Sequence, residues 1–163
     1  MTEHAEGITR RHAIQGAAWS VPLIALAVAT PLAAASTVTD VGAFNLVAAC
    51  DIPPGGPGFT LVAGPVDLPA GTVITITGTG MANLGSLSIA GGAVSVDESA
   101  PTTRVITLTA PLAAGASLSM RADLSPATDY QLTGATTLPA GYDSTTATYN
   151  GSVINTDGTC TAE

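Results

Sequence analysis

The chain has 163 residues, a formal net charge of −8, 46% hydrophobic residues and 10% charged ones. It has no Lys, and beyond residue 35 no His, which removes a Ser/His/Asp triad, a Cys/His dyad, Schiff-base chemistry and His-ligated metals from that part of the chain. Residues 36–163 keep two arginines, Arg104 and Arg121, against ten acids, a balance that repels phosphate backbones and makes nucleic acid an unexpected partner.

Thr9-Arg10-Arg11-His12-Ala13-Ile14-Gln15 opens a segment that carries no further charge until Asp40. Ala13–Leu32 is moderately apolar and contains Gly16, Ser20, Pro22 and Pro31. Ala33-Ala34-Ala35 then offers the small residues a signal peptidase needs, with cleavage before Ser36. Thr9, Arg10, Arg11 and Ile14 resemble the twin-arginine export motif, with Ala13 where a Phe is usual. That resemblance implies a helical, cleavable leader over residues 1–35, with the export machinery and signal peptidase as its partners. It also implies a secreted or loosely envelope-associated domain over 36–163, with no stable membrane insertion after cleavage. The general secretory route shares this layout, and roughly 20 apolar residues also suffice for an anchor, although Pro22 and Pro31 argue against one. The Gly16–Pro22 run resembles leaders of small uncharacterised exported proteins from GC-rich Gram-positive bacteria, and Lys-free usage of Ala, Gly, Val and Thr fits such a genome.

Beyond the leader, short β-type runs recur between Gly and Pro, with no sustained helical period. The expected strands are Val38–Ala49, Phe59–Ala63, Thr72–Gly78, Ser86–Ala90, Ala93–Asp97, Thr103–Thr109, Ala116–Leu124, Tyr130–Thr136, Thr145–Tyr149 and Ser152–Thr156. Ile74 and Ile76 alternate with Thr75 and Thr77, Ile106 and Leu108 with Thr107 and Thr109, and Leu118 and Met120 with Ser117, Ser119 and Arg121. One dry and one wet face per strand predicts antiparallel sheets packed as a sandwich. A turn at Gly91-Gly92 is expected to pair Ile89 with Val94 and Leu87 with Val96 as a hairpin. Asn150-Gly151 and Asn155–Gly158 are further predicted turns.

Cys50 and Cys160 lie near the two ends of this domain, and in an oxidising compartment they are expected to form one disulfide. Leu68-Pro69-Ala70-Gly71, Leu112-Ala113-Ala114-Gly115 and Leu138-Pro139-Ala140-Gly141 share one turn chemistry, in which Gly supplies positive φ and Pro or Ala stiffens the approach. Their spacings differ, so they mark no regular repeat. Such turns between Thr-rich strands resemble the immunoglobulin-like domains of bacterial surface proteins, which implies an all-β, antiparallel β-sandwich. The antibody-type Trp is missing, since Trp19 falls in the leader, and so is the Lys of an internal isopeptide crosslink.

Few residues suggest chemistry. Gly78-Thr79-Gly80 lacks the strand-turn-helix setting of a phosphate loop. Asp97 and Glu98 are adjacent and would point to opposite faces of a strand. Asp157 with Asn155, or Asp51 with Asp40, come nearest to calcium chemistry but lack alternating ligand spacing, so no metal or cofactor is expected. Tyr142 and Tyr149 are the candidate sugar-stacking aromatics. Thr-x-Thr at Thr75–Thr77, Thr77–Thr79 and Thr107–Thr109 suits water-ordering arrays but also the ordinary wet face of a strand. Leu138–Gly141 lacks the Thr of a sortase signal, so no C-terminal anchor is expected. Three readings follow: a non-enzymatic exported sandwich that acts on a surface protein or glycan, a small carbohydrate- or ligand-binding module, and an acid-only hydrolase. The last needs two carboxylates facing one pocket at roughly 5–9 Å.

Overall fold

Thr, Val and Ile carry branched Cβ atoms that disfavour helix and fit a pleated, half-buried surface. A computed structural model describes residues 37–163, and every regular element among them is a strand. In chain order these are β1 (Thr39–Asp40), β2 (Asn45–Ala49), β3 (Gly58–Val62), β4 (Val73–Thr79), β5 (Leu87–Ala90) and β6 (Val94–Asp97). They continue as β7 (Thr103–Leu108), β8 (Ser117–Ala122), β9 (Tyr130–Thr137), β10 (Tyr142–Asp143), β11 (Asn150–Thr156) and β12 (Thr159–Ala162).

A six-stranded sheet, β12-β11-β9-β4-β7-β6, lies against a four-stranded one, β2-β3-β8-β5, and both are antiparallel throughout. This is the expected all-β, antiparallel sandwich, with a two-stranded parallel pair, β1-β10, added beside it. Side chains of period two fill the space between the sheets: Ile74 and Ile76, Ile106 and Leu108, Leu118 and Met120, and Phe59 and Leu61 are all buried. Their neighbours Thr75, Thr77, Thr107, Ser119 and Arg121 point outward and are half exposed, as the alternation predicts.

The three shared turns build alike. Thr72 N–H donates to Pro69 O at 3.2 Å, Ala116 N–H to Ala113 O at 2.9 Å, and Tyr142 N–H to Pro139 O at 3.2 Å. Gly71, Gly115 and Gly141 take φ of 85°, 71° and 87°, which only Gly adopts without strain. Two of these turns also face each other. Leu68 and Leu112 exchange backbone hydrogen bonds of 2.9 and 3.0 Å, while Gly71 N–H reaches Leu108 O and Gly115 N–H reaches Gly64 O. The β3–turn–β4 and β7–turn–β8 units are thereby interlocked, since β3 pairs β8 in one sheet and β4 pairs β7 in the other.

The Gly91-Gly92 hairpin does not form. β5 pairs with β8 and β6 pairs with β7, so the chain steps from one sheet to the other at those glycines. Gly91 has φ 100° and lies so close to β8 that a Cβ would overlap the Ser117 carbonyl. Leu87, Ile89 and Val94 pack against the core as expected, whereas Val96 is 38% exposed; β5 takes its partner from the distant β8 and β6 from the next strand, β7. Longer strands with buried faces outcompete a local turn here. Asn150-Gly151 likewise lies inside β11, opposite Ala135 and Gly134, and is no turn. Asp157-Gly158 is one, with φ of 52° and 78° joining β11 to β12. Thr145–Tyr149 is not a strand but a bent segment that touches β2 through Thr148. The long run Val38–Ala49 is broken by Gly42, at φ 70°, into β1 and β2.

Cys50, just after β2, and Cys160, in β12, form the expected disulfide, with a Cα–Cα distance of 5.9 Å. It joins the edge strands of the two sheets on one flank. On the opposite flank, buried Arg104 of β7 donates from Nε to Gly85 O at 2.8 Å, ahead of β5, and from Nη1 to Ala100 O and to Thr103 O at 2.8 Å. Asn83 Oδ1 accepts from its Nη2 at 3.3 Å, and Glu98 lies 3.8 Å from Nε.

Candidate functional site

The outer face of the six-stranded sheet collects the outward half of every alternating strand. Register places Thr103 of β7 opposite Thr77 of β4, Thr77 opposite Thr133 of β9, and Thr133 opposite Ser152 of β11. The four form a rank of β-hydroxyls running across four adjacent strands, with a step of about 4.8 Å between strands. One step along β4, Thr75 stands opposite Ala135, which in turn stands opposite Asn150.

A groove of about 460 Å³ crosses this face over β4, β9 and β11. Thr75, Thr77, Thr133, Asn150, Ser152 and Glu163 supply its polar groups, the small Ala135 lies between them, and Gly134 and Gly151 contribute backbone alone. Gly134 is required beneath it, because a Cβ there would press on the Phe59 ring and on Leu46 in the core. Ser152 and Glu163 exchange backbone hydrogen bonds of 2.8 and 2.9 Å, which fixes the far wall. Thr133 Oγ1 makes a long contact of 3.4 Å to Thr77 O. Branched Cβ atoms on paired strands hold these hydroxyls in few rotamers.

Two smaller concavities lie at the disulfide end. One, of about 320 Å³, is walled by the Cys50–Cys160 bond, Pro57, Leu124, Pro126, Tyr130 and Asn155. Asn155 is buried and its Nδ2 donates to Pro126 O at 3.0 Å and Thr128 O at 2.7 Å, while its Oδ1 has no partner. Burial pushes the Tyr130 phenol above its usual pKa. The other, of about 290 Å³, runs past Thr79, Asp129 and Gln131. None of the three concavities is lined by two carboxylate side chains.

The residues singled out in the sequence have diverse placements. Tyr142 is 40% exposed in β10. Tyr149 is half-buried: its ring meets Phe44 edge-on at 4.9 Å and its hydroxyl donates to Ser144 O at 3.1 Å. This is the geometry of a tyrosine that fastens a corner of the fold. Neither tyrosine lines the three concavities. Asp97 Oδ1 accepts from Ser99 N–H at 2.8 Å, which holds its carboxyl below the usual pKa, whereas Glu98 turns to Arg104. Asp129, not Asp157, supplies the carboxylate at the β11–β12 turn, accepting from Asp157 N–H at 2.9 Å. Among the described residues no three His, Cys, Asp or Glu side chains gather as a metal site, and no helix is long and apolar enough to cross a membrane. Arg10, Arg11, Ala33, Ala35 and Ser36 lie outside the described residues.

The chain matches no family model, no curated protein and no solved structure. Function must be read from the chemistry of the site itself. Of the hydroxyl rank, only Thr77 lies in a Thr-x-Thr pair of the sequence. Cross-strand register, which brings Thr103, Thr77, Thr133 and Ser152 together, depends on partners far apart in the chain.

Proposed function

We propose that the chain is exported by way of its twin-arginine-type leader, is cut before Ser36, and works outside the cytoplasm as a non-enzymatic binding protein that acts through the surface of its β-sandwich. The observation that carries this reading is the disulfide between the sheets, since such bonds form and persist in oxidising compartments. It agrees with the Arg10-Arg11 leader and the small-residue stretch ending at Ala35. A binding role, rather than catalysis, is supported by the kind of groups the surface offers. The groove on the six-stranded sheet presents hydroxyls, an amide and one carboxylate side chain, and residues 36–163 contain neither His nor Lys. An acid-only hydrolase would need two carboxylates converging on one pocket.

Intact mass of the native protein, measured separately from culture medium and cell envelope and before and after reduction, tests the reading. The expected result is a species matching Ser36–Glu163 in the medium that gains the mass of about two hydrogens on reduction. A full-length chain retained in the membrane would overturn export with cleavage.

A further inference from the structure

We infer that the groove across β4, β9 and β11 is a binding site for a neutral glycan chain. The inference rests on the reading of an exported binding protein and names the ligand of that surface. The lining residues select the class of ligand by what they offer. A protein partner would be anchored by aromatic or Arg side chains in a desolvated pocket, and none lines this groove. A lipid or other apolar ligand would need large aliphatic walls, whereas the apolar contribution here is Ala135 with two glycines. A phosphate or sulfate would need a cation, but Arg104 is bonded to backbone carbonyls on the inner side of the sheet and Arg121 is bonded to Gly55 O and Ser88 on the other sheet. The hydroxyls and the amide of the lining both donate and accept hydrogen bonds, which matches a ligand that does the same, as sugars do.

The geometry fits an elongated form of such a ligand. The hydroxyls of Thr77, Thr133 and Ser152 follow one another across the strands, and the Asn150 amide and the Glu163 carboxylate stand at one side. The volume, about 460 Å³, lies in the range of small-ligand sites. Sheet twist of about 20–25° per strand turns the rank into a curved track, which a flat crystalline surface such as ice cannot follow but a flexible chain can. With no aromatic to stack on a sugar ring, affinity for a single short chain is weak, and useful binding comes from repeated units on a polymer.

The test is chemical-shift mapping on the native, isotope-labelled protein, titrated to millimolar concentration with cellohexaose, maltohexaose and N-acetylchitohexaose in turn, and with a heparin hexasaccharide as the anionic control. At least one neutral hexasaccharide is expected to shift the amides of Thr77, Thr133, Gly134, Gly151 and Ser152, and heparin is not. The double variant Thr77→Val with Thr133→Val keeps strand-forming shape while removing two hydroxyls, and is expected to weaken binding by about tenfold or more. Thr107→Val, on the same face outside the groove, is expected to bind as the parent does. Absence of shifts in the groove with all three neutral probes, shifts confined elsewhere, a preference for heparin, or binding unchanged in the double variant would each overturn the inference. Failure of the export reading is separately visible as an uncut chain in the mass measurement, which leaves this titration unaffected.

Discussion

On one flank of the sandwich a covalent bond joins β2 to β12. On the other, where β5 and β6 form the sheet edges, the sheets are joined by the buried Arg104 guanidinium and by a two-glycine step. Both devices link the same two layers, but they act on different states. The disulfide limits what the unfolded chain can explore, and its effect grows with the enclosed loop. Arg104 acts only in the folded state, by satisfying carbonyls that the loops around β5 and β6 would otherwise leave buried and unpaired. The flank without the disulfide therefore depends on contacts that exist only while it is folded.

Four measurements break or sharpen this contrast. Cys50→Ser with Cys160→Ser opens a loop of 110 residues and is expected to cost about 4–5 kcal/mol, read as the loss in urea unfolding free energy relative to the oxidised parent. Arg104→Met keeps the apolar stem, removes the donors to Gly85 and Thr103, and is expected to cost about 3 kcal/mol in the same assay. If reduction and Arg104→Met act on separate flanks, their effects add within about 0.5 kcal/mol, and strong coupling would show that the two flanks form one unit. Gly91→Ala forces a Cβ into the Ser117 carbonyl at positive φ and is expected to cost about 2–3 kcal/mol. Gly115→Ala, equally at positive φ but with nothing within 4 Å, costs about 1 kcal/mol. A Gly91→Ala no worse than Gly115→Ala would mean that the chain does not cross between sheets there.

The smallest effect is a pH dependence. Asp97 closes β6 and its carboxyl is held below the ordinary 3.8 by the Ser99 N–H. Its contribution is fully present above pH 3.8 and is lost as the pH falls through the lower folded-state value. Asp97→Asn is expected to flatten a small part of the acid limb of the stability curve and to leave neutral pH little changed. On the disulfide flank the sense is opposite: the buried Tyr130 phenol, raised above 10.0, supports folding up to pH 10.0 and loses that support as the pH rises through its folded-state value.

The two flanks also differ in how far they could be read from sequence. Cys50 and Cys160 could be paired because they are the only two cysteines, and composition needs no topology. Alternation gave the buried faces of β4, β7 and β8 directly, because a period of two is a local property. At Gly91-Gly92 the same local logic proposed a hairpin with consistent faces, and the structure keeps the faces of Leu87, Ile89 and Val94, exposes Val96 and changes the partners. Turn propensity is local, whereas the choice between β6 and β8 as the neighbour of β5 is decided by strands more than 25 residues away, such as Arg121 opposite Ser88. Tyr149 followed the same rule. Its polar surroundings in sequence suited either an exposed or a partly buried ring, and only the fold shows Phe44 beneath it and Ser144 O at its hydroxyl. The groove belongs to this nonlocal class as well, since no segment contains more than three of its polar side chains.

The engagement of both arginines has an effect on durability. Residues 36–163 hold Arg104 and Arg121 as their only basic side chains. The first is 4% exposed within β7. The second lies within β8 and reaches across to the Gly55 loop. A protease that cuts after Arg or Lys must bind an extended, accessible segment around such a side chain, and the folded sandwich offers neither site in that form. Digestion by trypsin would then proceed only through molecules whose β7 or β8 has opened, and the rate of cutting after Arg104 would count the openings of the flank that has no disulfide.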